Sequence, residues 1–375
     1  MAILPPATLG IIGGGQLGRM FVTAARTMGY EVIVLEPDPH TPAGSLASEH
    51  VAKPYDDIEA LDYLAQHCAV VTTEFENIPV TALDHLAEHC EVYPSADALS
   101  ITQNRIREKS FIQSLGLLTS PFIAVESADD LLDLGAVTFP AILKTATLGY
   151  DGKGQVVCEN AEQARKAFAE IGVACVLEQK ITLAKEVSVV LARSQHGQTY
   201  SFPLAQNEHV NGILDVSMAP ADVSDALRDG ALLAAQKIAR GLNYCGVLAV
   251  EFFISSDGEL LVNEIAPRPH NSGHFTLDAC YTSQFEQQLR MICDLPSGNC
   301  ALHTPVAMLN LLGDVWPQGA QPGWDEVLEI DRARLHLYGK KEARRGRKMG
   351  HINFLAEDLP AALQHLQQAR DILNK

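Results

Sequence analysis

The stretch Lys144-Thr-Ala-Thr-Leu-Gly-Tyr-Asp-Gly-Lys-Gly-Gln155 decides more about this chain than any other segment. It follows an apolar run that begins at Phe139, and it contains three glycines and a second lysine. Glycine lets backbone N–H groups approach a ligand closely, and lysines supply charge for phosphate oxygens. The stretch predicts a flap over a nucleoside triphosphate, but it is not a P-loop, because no Lys-Ser/Thr pair opens a helix there. A surface hairpin that carries the same glycines remains an open alternative.

Two glutamates lie on strands that the sequence predicts to be a hairpin. Glu251 and Glu264 each sit in an apolar run, and the turn Ser255-Ser256-Asp257-Gly258 lies between them. Such a turn is a strong hairpin signal, and paired strands can project both side chains onto one face. Mg²⁺ prefers hard oxygen ligands together with substrate phosphates. The pair therefore predicts a divalent-cation site, although a single glutamate on a strand is usually a solvated surface residue.

The N-terminal segment Gly13-Gly14-Gly15-Gln16-Leu17-Gly18 fits the GxGxxG pattern between a predicted strand and a predicted helix. Glu36 ends the next predicted strand, where a ribose-binding carboxylate would lie in a dinucleotide-binding fold. The glycines alone establish a tight turn and a helix N-terminus able to hold an anion. A nicotinamide-dependent oxidoreductase is therefore one hypothesis for the chain.

Composition excludes several classes of protein. The net charge of −18 disfavours general nucleic-acid binding, because phosphate backbones would be repelled. No apolar run approaches the length of a membrane span, and no secretory signal precedes the first strand. Eight cysteines without a CxxC pair indicate reduced thiols in a cytoplasmic protein. We therefore expect a cytoplasmic protein that binds neither nucleic acid nor membrane.

The C-terminal part of the chain reverses this acidic balance locally. Between Arg332 and Lys348 lie eight lysines and arginines and a single acid, Glu342. The segment predicts a site for a small, highly charged anion, and a solvated loop is the alternative. Elsewhere, alternating apolar runs and helical patterns over the first hundred residues predict a parallel α/β sheet, and longer strands follow from Glu186 onward.

Several of these residues, taken in order, resemble those of ATP-grasp enzymes: Lys144, Gly149 to Gln155, Glu178 to Ile181, Glu186, Glu251 and Asn263-Glu264. The chain more closely resembles the 5-(carboxyamino)imidazole ribonucleotide synthases, the ATP-dependent carboxylases of purine biosynthesis. Four segments carry that resemblance: Gly13 to Met20, Gly149 to Gln155, Pro267-Arg268-Pro269-His270-Asn271-Ser272-Gly273-His274, and Gly346-Arg347-Lys348-Met349-Gly350-His351.

The resemblance implies an ATP-grasp fold of α/β and α+β class. Its N-terminal parallel α/β domain would cover residues 1–103, and its ATP-grasp domain residues 104–300. The latter would divide into a lid at about 118–183 and a larger part at about 184–300. A small β-rich domain at 301–375 would complete the ribonucleotide site. A homodimer formed through the α/β units is implied as well.

The resemblance also assigns the ATP and metal sites. Phosphate contacts would come from Arg105, Lys144, His209 and the flap residues Gly149, Tyr150, Asp151, Gly152, Lys153, Gly154 and Gln155. Adenine would be read by Glu178, Gln179, Lys180 and Ile181, and ribose by Glu186. Glu251 and Glu264 would bind Mg²⁺, with Asn263 alongside. Ala266 stands where many ATP-grasp members have asparagine, so water or phosphate would supply the third ligand.

The implied reaction phosphorylates bicarbonate to carboxyphosphate, which then carboxylates the amine of aminoimidazole ribonucleotide. Arg268, His270 and Asn271 would orient bicarbonate, because guanidinium suits planar oxyanions. Tyr150 and Asp151 would lie where ATP, bicarbonate and the amine meet. The ribonucleotide would be held by Gln16, Glu76, Asp151, Lys340, Arg347 and Lys348. A formate-dependent glycinamide ribonucleotide transformylase and a non-catalytic nucleotide-binding module remain alternatives.

Overall fold

The computed structural model describes residues 1–149, 154–316 and 321–374. Its N-terminal part is a five-stranded parallel sheet with strand order β3-β2-β1-β4-β5. The elements are β1 (Thr8–Ile12), α1 (Gln16–Thr27), β2 (Glu31–Leu35), β3 (Glu49–Val51), α2 (Ile58–His67), β4 (Val70–Thr73), α3 (Val80–Ala87), β5 (Glu91–Tyr93) and α4 (Ala96–Thr102). Apolar clusters on both faces bury the sheet, as a parallel sheet requires. The predicted α/β fold of this part is confirmed.

A four-stranded antiparallel sheet follows, with strand order β6-β9-β7-β8. The elements are α5 (Arg105–Ser114), β6 (Phe122–Val125), β7 (Ala141–Thr145), β8 (Gln155–Cys158), α6 (Ala161–Ile171) and β9 (Cys175–Gln179). Helix α6 and the short 3₁₀ turn after β6 cover an apolar face of this sheet. Because β7 and β8 pair directly, the glycine-rich stretch connects two neighbouring strands. Its residues 150–153 lie outside the described residues.

The largest described sheet has nine strands in the order β15-β14-β10-β12-β13-β16-β18-β17, with β11 paired to β10. Its strands are β10 (Leu183–Arg193), β11 (Thr199–Ser201), β12 (Ala205–Val210), β13 (Ile213–Ala219), β14 (Gly246–Ser255), β15 (Leu260–Ala266), β16 (Val306–Leu312), β17 (Ala333–Leu337) and β18 (Lys348–Leu355). The accompanying helices are α7 (Asp225–Gly241), α8 (Thr276–Ala279), α9 (Gln284–Ile292), α10 (Trp324–Leu328) and α11 (Leu359–Leu373). No described helix has the length and apolar composition needed to cross a membrane.

The C-terminal strands extend this central sheet. β16 pairs with β13, and β18 pairs with both β16 and β17. The sequence indicated β-rich structure in this part of the chain. It did not predict that β16 pairs with β13, because the two strands are almost a hundred residues apart and local patterns do not report such pairings. This pairing brings the basic segment before β18 to the cavity that the rest of the sheet lines.

Candidate active site

One large cavity, of about 1960 Å³, is lined by the N-terminal sheet, the lid sheet and the central sheet. A site for one drug-sized ligand usually occupies about 300–1,000 Å³. The cavity can therefore hold a nucleotide together with a second ligand.

Of the predicted site residues that the structure describes, Gly154 is the one that does not line this cavity. Tyr150, Asp151, Gly152 and Lys153 lie outside the described residues. The remaining predicted residues all line the cavity, although they come from segments as far apart in the chain as Gln16 and Lys348: Gln16, Glu76, Arg105, Lys144, Gly149, Gln155, Glu178, Gln179, Lys180, Ile181, Glu186, His209, Glu251, Asn263, Glu264, Arg268, His270, Asn271, Lys340, Arg347 and Lys348.

The predicted carboxylate pair lines the cavity from the central sheet. Glu251 on β14 stands directly opposite Glu264 on β15, so both side chains project from the same face of the sheet. Burial and the neighbouring Glu264 raise the pKa of Glu251 to about 7. Arg105 Nη1 lies 3.2 Å from Glu264 Oε2 and compensates part of this charge. Two hard carboxylates whose repulsion raises a pKa form a suitable donor set for Mg²⁺.

The described residues contain no group of three or more His, Cys, Asp and Glu side chains arranged to hold a metal. Glu251 and Glu264 therefore supply only part of a coordination shell. Mg²⁺ commonly binds through one or two carboxylates and completes its shell with water and substrate phosphates. The pair fits that pattern. Ala266 occupies the position at which many ATP-grasp enzymes have an asparagine ligand, so this position supplies no third side-chain ligand.

A buried ion-pair cluster lies at the lid end of the cavity. Glu178 Oε2 is 3.0 Å from Lys144 Nζ and 3.3 Å from Lys109 Nζ. Burial opposes ionisation of Glu178, but the two lysines outweigh it and lower the pKa of this carboxyl to about 2. Its other oxygen, Oε1, is buried without a hydrogen-bond partner. Glu178 therefore presents an unsatisfied acceptor, which a ligand amine would satisfy.

His209 and Glu186 form a second charged pair beside the metal-site candidates. His209 Nδ1 lies 2.6 Å from Glu186 Oε2. Burial disfavours the imidazolium, but Glu186 and Glu251 outweigh it and raise the pKa of His209. A cationic His209 is suited to contact a phosphate group.

Arg268 is held by a carboxylate from the N-terminal part of the chain. Its Nε donates to Glu76 Oε2 at 2.5 Å and its Nη2 to Glu76 Oε1 at 3.2 Å. Burial disfavours the charged guanidinium, but Glu76 raises the pKa of Arg268, so the group stays cationic. The two-point contact is the geometry with which arginine binds any planar oxyanion. Glu76 thus shows how a small carboxylate-like anion would bind to Arg268.

The two residues beside Arg268 are also placed for a small anion. Burial and the nearby charge of Arg268 lower the pKa of His270 far below its usual value, so the imidazole is neutral. Its Nε2 lies 3.5 Å from Glu251 Oε1. Both side-chain polar atoms of Asn271 are buried without a hydrogen-bond partner. Buried polar atoms are usually satisfied, so Asn271 is a strong candidate for a ligand contact.

The basic segment also lines the cavity, through Lys340 and the residues from Arg344 to Lys348. Lys340 Nζ donates to the backbone oxygen of Lys348 at 2.8 Å, and Arg347 Nη1 to that of Glu342 at 3.0 Å. These contacts fix the segment near Gln16 and Glu76, which line the same part of the molecule. The arrangement supports an anion site there.

The glycine-rich turn after β1 is filled by the protein's own carboxylates. Glu36 Oε2 accepts from the Gly14 N–H at 2.9 Å, and Glu74 accepts from Leu17 N–H at 3.1 Å and from Gly15 N–H. The N-terminus of α1 is therefore already occupied by two carboxyl groups of the protein itself. This occupancy argues against a dinucleotide pyrophosphate there, and Glu36 is a turn-stabilising residue.

Glu74, which lines the cavity, and Lys109, which lies behind Glu178, were not identified from the sequence. Glu74 directly follows β4, which pairs with β1, so its position at the carboxyl end of a parallel strand was an available signal. Lys109 lies on α5 with 1% of its side chain exposed, and a lysine within a helix gives no sign of burial.

Family models match three consecutive parts of the chain. A ribonucleotide synthetase preATP-grasp domain matches residues 6–103, an ATP-grasp domain residues 110–285, and a phosphoribosylaminoimidazole carboxylase C-terminal domain residues 306–365. The N5-carboxyaminoimidazole ribonucleotide synthase of Bacillus subtilis is 45% identical over 95% of this chain and 93% of its own length. That of Brucella melitensis is 46% identical over 94% of this chain and 97% of its own length.

Solved structures agree with these matches. An ADP complex of an N5-carboxyaminoimidazole ribonucleotide synthetase superposes with a TM-score of 0.92 and 43% identity, covering 100% of this chain and 99% of that one. The Aspergillus clavatus enzyme in complex with ADP and 5-aminoimidazole ribonucleotide has a TM-score of 0.88 and 30% identity, covering 98% of each chain. The ATP-grasp fold and the resemblance carried by the four motifs are confirmed. The chain belongs to the N5-carboxyaminoimidazole ribonucleotide synthase family of ATP-grasp ligases.

Proposed function

We propose that this chain carboxylates 5-aminoimidazole ribonucleotide with bicarbonate in purine biosynthesis, through carboxyphosphate, giving 5-(carboxyamino)imidazole ribonucleotide, ADP and phosphate. The observation that carries the proposal is that one cavity is lined by the Lys144–Glu178 ion pair of the lid, by the carboxylate pair of the central sheet and by the basic segment before β18. Relatives similar over nearly the whole chain carry the name of this activity, and one solved relative holds both ADP and the ribonucleotide.

ATP is proposed to bind at the lid end. Lys144, Arg105 and His209 contact its phosphates, and the flap from Gly149 to Gln155 closes over them. The unpartnered Oε1 of Glu178 accepts from the adenine amine. The adjoining Gln179, Lys180 and Ile181 of the lid edge read the rest of the base. Glu186 contacts the ribose, and Asn263, next to Glu264, contacts the phosphates.

Glu251 and Glu264 are proposed to be the side chains that would hold Mg²⁺. When bound, the metal would neutralise charge on the transferring γ-phosphoryl group. Arg105, 3.2 Å from Glu264, holds that carboxylate toward the cavity.

Bicarbonate is a poor electrophile, and the proposed mechanism activates it by phosphoryl transfer. Arg268 binds the bicarbonate oxygens in place of Glu76, and Asn271 supplies a buried amide for a further hydrogen bond. The neutral His270 lies beside Glu251 and helps to orient the anion. Tyr150 and Asp151 of the flap are proposed to cover this position and limit hydrolysis of carboxyphosphate by water.

The 5′-phosphate of the ribonucleotide is proposed to bind Lys340, Arg347 and Lys348. Gln16 and Glu76 then face its ribose or imidazole, and the exocyclic amine points toward Arg268. A Glu76 that engages the ribonucleotide releases Arg268 for bicarbonate. In this proposal, the amine and the bicarbonate carbon that it attacks lie next to each other.

The assay that tests this function measures phosphate release with two pairs of substrates. Release should require bicarbonate together with aminoimidazole ribonucleotide. Release that instead requires formate and glycinamide ribonucleotide would assign the chain to the transformylase branch of the ATP-grasp ligases. We also propose a cytoplasmic homodimer formed through the N-terminal α/β units, on family resemblance, and light scattering after gel filtration tests the oligomeric state.

A further inference from the structure

Lys109 is a buried lysine that takes no part in the proposed ligand contacts. It does not line the cavity, and its Nζ lies 3.3 Å from Glu178 Oε2 and 5.8 Å from the centre of the Phe122 ring. Burying an ammonium group is costly unless a counter-ion compensates it. The position of Lys109 is therefore explained by its effect on Glu178.

Glu178 is shared by two lysines that differ in their access to a ligand. Both lysines form ion pairs with the same oxygen of Glu178, Oε2, whereas Glu178 Oε1 has no hydrogen-bond partner. Lys144 is 12% exposed and lines the cavity, whereas Lys109 lies behind Glu178. Lys144 can therefore turn toward an incoming phosphate, and Lys109 remains with the carboxylate.

The protonation state of Glu178 depends on these neighbours. The elements packed against β9 are α5, β6 and β7. Helix α5 contributes Lys109, Arg105 and the buried Glu108, which acts on Lys109 and whose pKa is raised to about 8 by burial and by Glu264. Strand β7 contributes Lys144, and β6 has no titratable side chain. Burial raises the pKa of Glu178, and these three cations lower it. Once Lys144 binds phosphate, Lys109 is the cation in direct contact that keeps Glu178 ionised.

An ionised carboxylate only accepts hydrogen bonds, whereas a protonated one also donates. Adenine carries an amine donor at the position where guanine carries a carbonyl acceptor. We propose that Lys109 is a positioning residue for purine specificity: it keeps Glu178 an acceptor-only carboxylate, so that adenine nucleotides bind and guanine nucleotides are rejected. The inference deepens the proposed function, because it rests on the adenine base lying against Glu178.

The test is the ratio of the GDP and ADP dissociation constants, measured by calorimetry from pH 6 to pH 9. We expect the wild-type ratio to stay constant over this range. Lys109→Met keeps a side chain of similar length without the charge. Its ratio should fall at least tenfold at pH 6 and recover toward the wild-type value at pH 9, as Glu178 ionises. A Lys109→Met variant that melts cooperatively and keeps the wild-type ratio at every pH would overturn the inference.

A double variant provides a second test in case the Lys109→Met protein does not fold. Lys109→Met/Glu178→Gln removes both buried charges together, and an amide can both donate and accept. Its ratio should be low and independent of pH, and a wild-type ratio in this variant would also refute the proposal. Lys166→Met, an exposed lysine on α6 that pairs with Glu170, is the matched control and should leave both constants unchanged.

The measurement separates this inference from the proposed function. A wild-type chain that binds neither nucleotide would refute the ATP site and the inference together. A wild-type chain that prefers ADP, with variants that keep this preference, would refute only the role of Lys109. A pH-dependent loss of preference in a chain without carboxylase activity would support Lys109 and remove the proposed reaction.

Discussion

Truncation of Arg347 should weaken ribonucleotide binding and spare ATP binding. Arg347 is half-buried and lines the cavity from the segment before β18, whereas the lysine cluster belongs to α5 and the lid sheet. Hydrogen bonds to charged groups contribute about 1.5–3 kcal/mol. With about 1.4 kcal/mol per factor of ten, Arg347→Ala should raise the KM for the ribonucleotide roughly 10- to 150-fold. Its present contact, the exposed backbone oxygen of Glu342, can be satisfied by water, so stability should change little.

The assay is ADP release at saturating ATP and bicarbonate, with the ribonucleotide varied. Lys340→Ala should raise the KM for the ribonucleotide by a similar factor, because Lys340 belongs to the same basic segment as Arg347 and also lines the cavity. Arg334→Ala removes an exposed arginine of the same basic segment that does not line the cavity, and it should leave the KM unchanged. An unchanged ribonucleotide KM in both Lys340→Ala and Arg347→Ala would refute the assignment of the phosphate site.

Half-maximal activation by magnesium should need about tenfold more metal at pH 6 than at pH 8. The reason is that Glu251, with its pKa raised to about 7, must lose a proton to bind a cation. An activation constant that does not change with pH would contradict the proposed role of Glu251 as a metal ligand. Glu264→Gln should abolish turnover, since it removes a charged ligand, and normal turnover in that variant would favour a non-catalytic module. Gly15→Ala should lower the free energy of unfolding by about 1–3 kcal/mol, because its Cβ would overlap the Glu74 carboxylate. Gly230→Ala, with 3.5 Å to its nearest neighbour in a helix, should instead stabilise by about 0.5–1 kcal/mol, and urea denaturation of both checks this contrast.

Local patterns predicted much of the fold and of the site. The turn from Ser255 to Gly258 fixed the β14–β15 hairpin, and the structure places Glu251 opposite Glu264 as that hairpin requires. Alternation of apolar strands and helices gave the parallel N-terminal sheet. The strand with His209 was missed, because Ala205–Val210 is mostly polar and shows no apolar alternation.

Pairings between distant segments could not be predicted in the same way. Glu76 contacts Arg268, which lies 192 residues later in the chain. Neither local sequence contains a pattern that predicts this contact. Lys109 and Glu178 are likewise brought together only by packing of α5 against β9. The GxGxxG pattern was compatible with a dinucleotide site until the structure showed Glu36 and Glu74 on its N–H groups. These backbone-to-carboxylate hydrogen bonds between distant segments therefore argue against the dinucleotide-binding function that the local motif had left open.

The most direct test of the account follows oxygen from bicarbonate. The proposed attack of bicarbonate on the γ-phosphoryl group makes one bicarbonate oxygen the bridge of carboxyphosphate, and loss of CO₂ leaves that oxygen on phosphorus. With ¹⁸O-labelled bicarbonate, ATP and aminoimidazole ribonucleotide, mass spectrometry should find one labelled oxygen in each inorganic phosphate formed. Inorganic phosphate that carries no label, at the same rate of ADP release, would contradict the central claim.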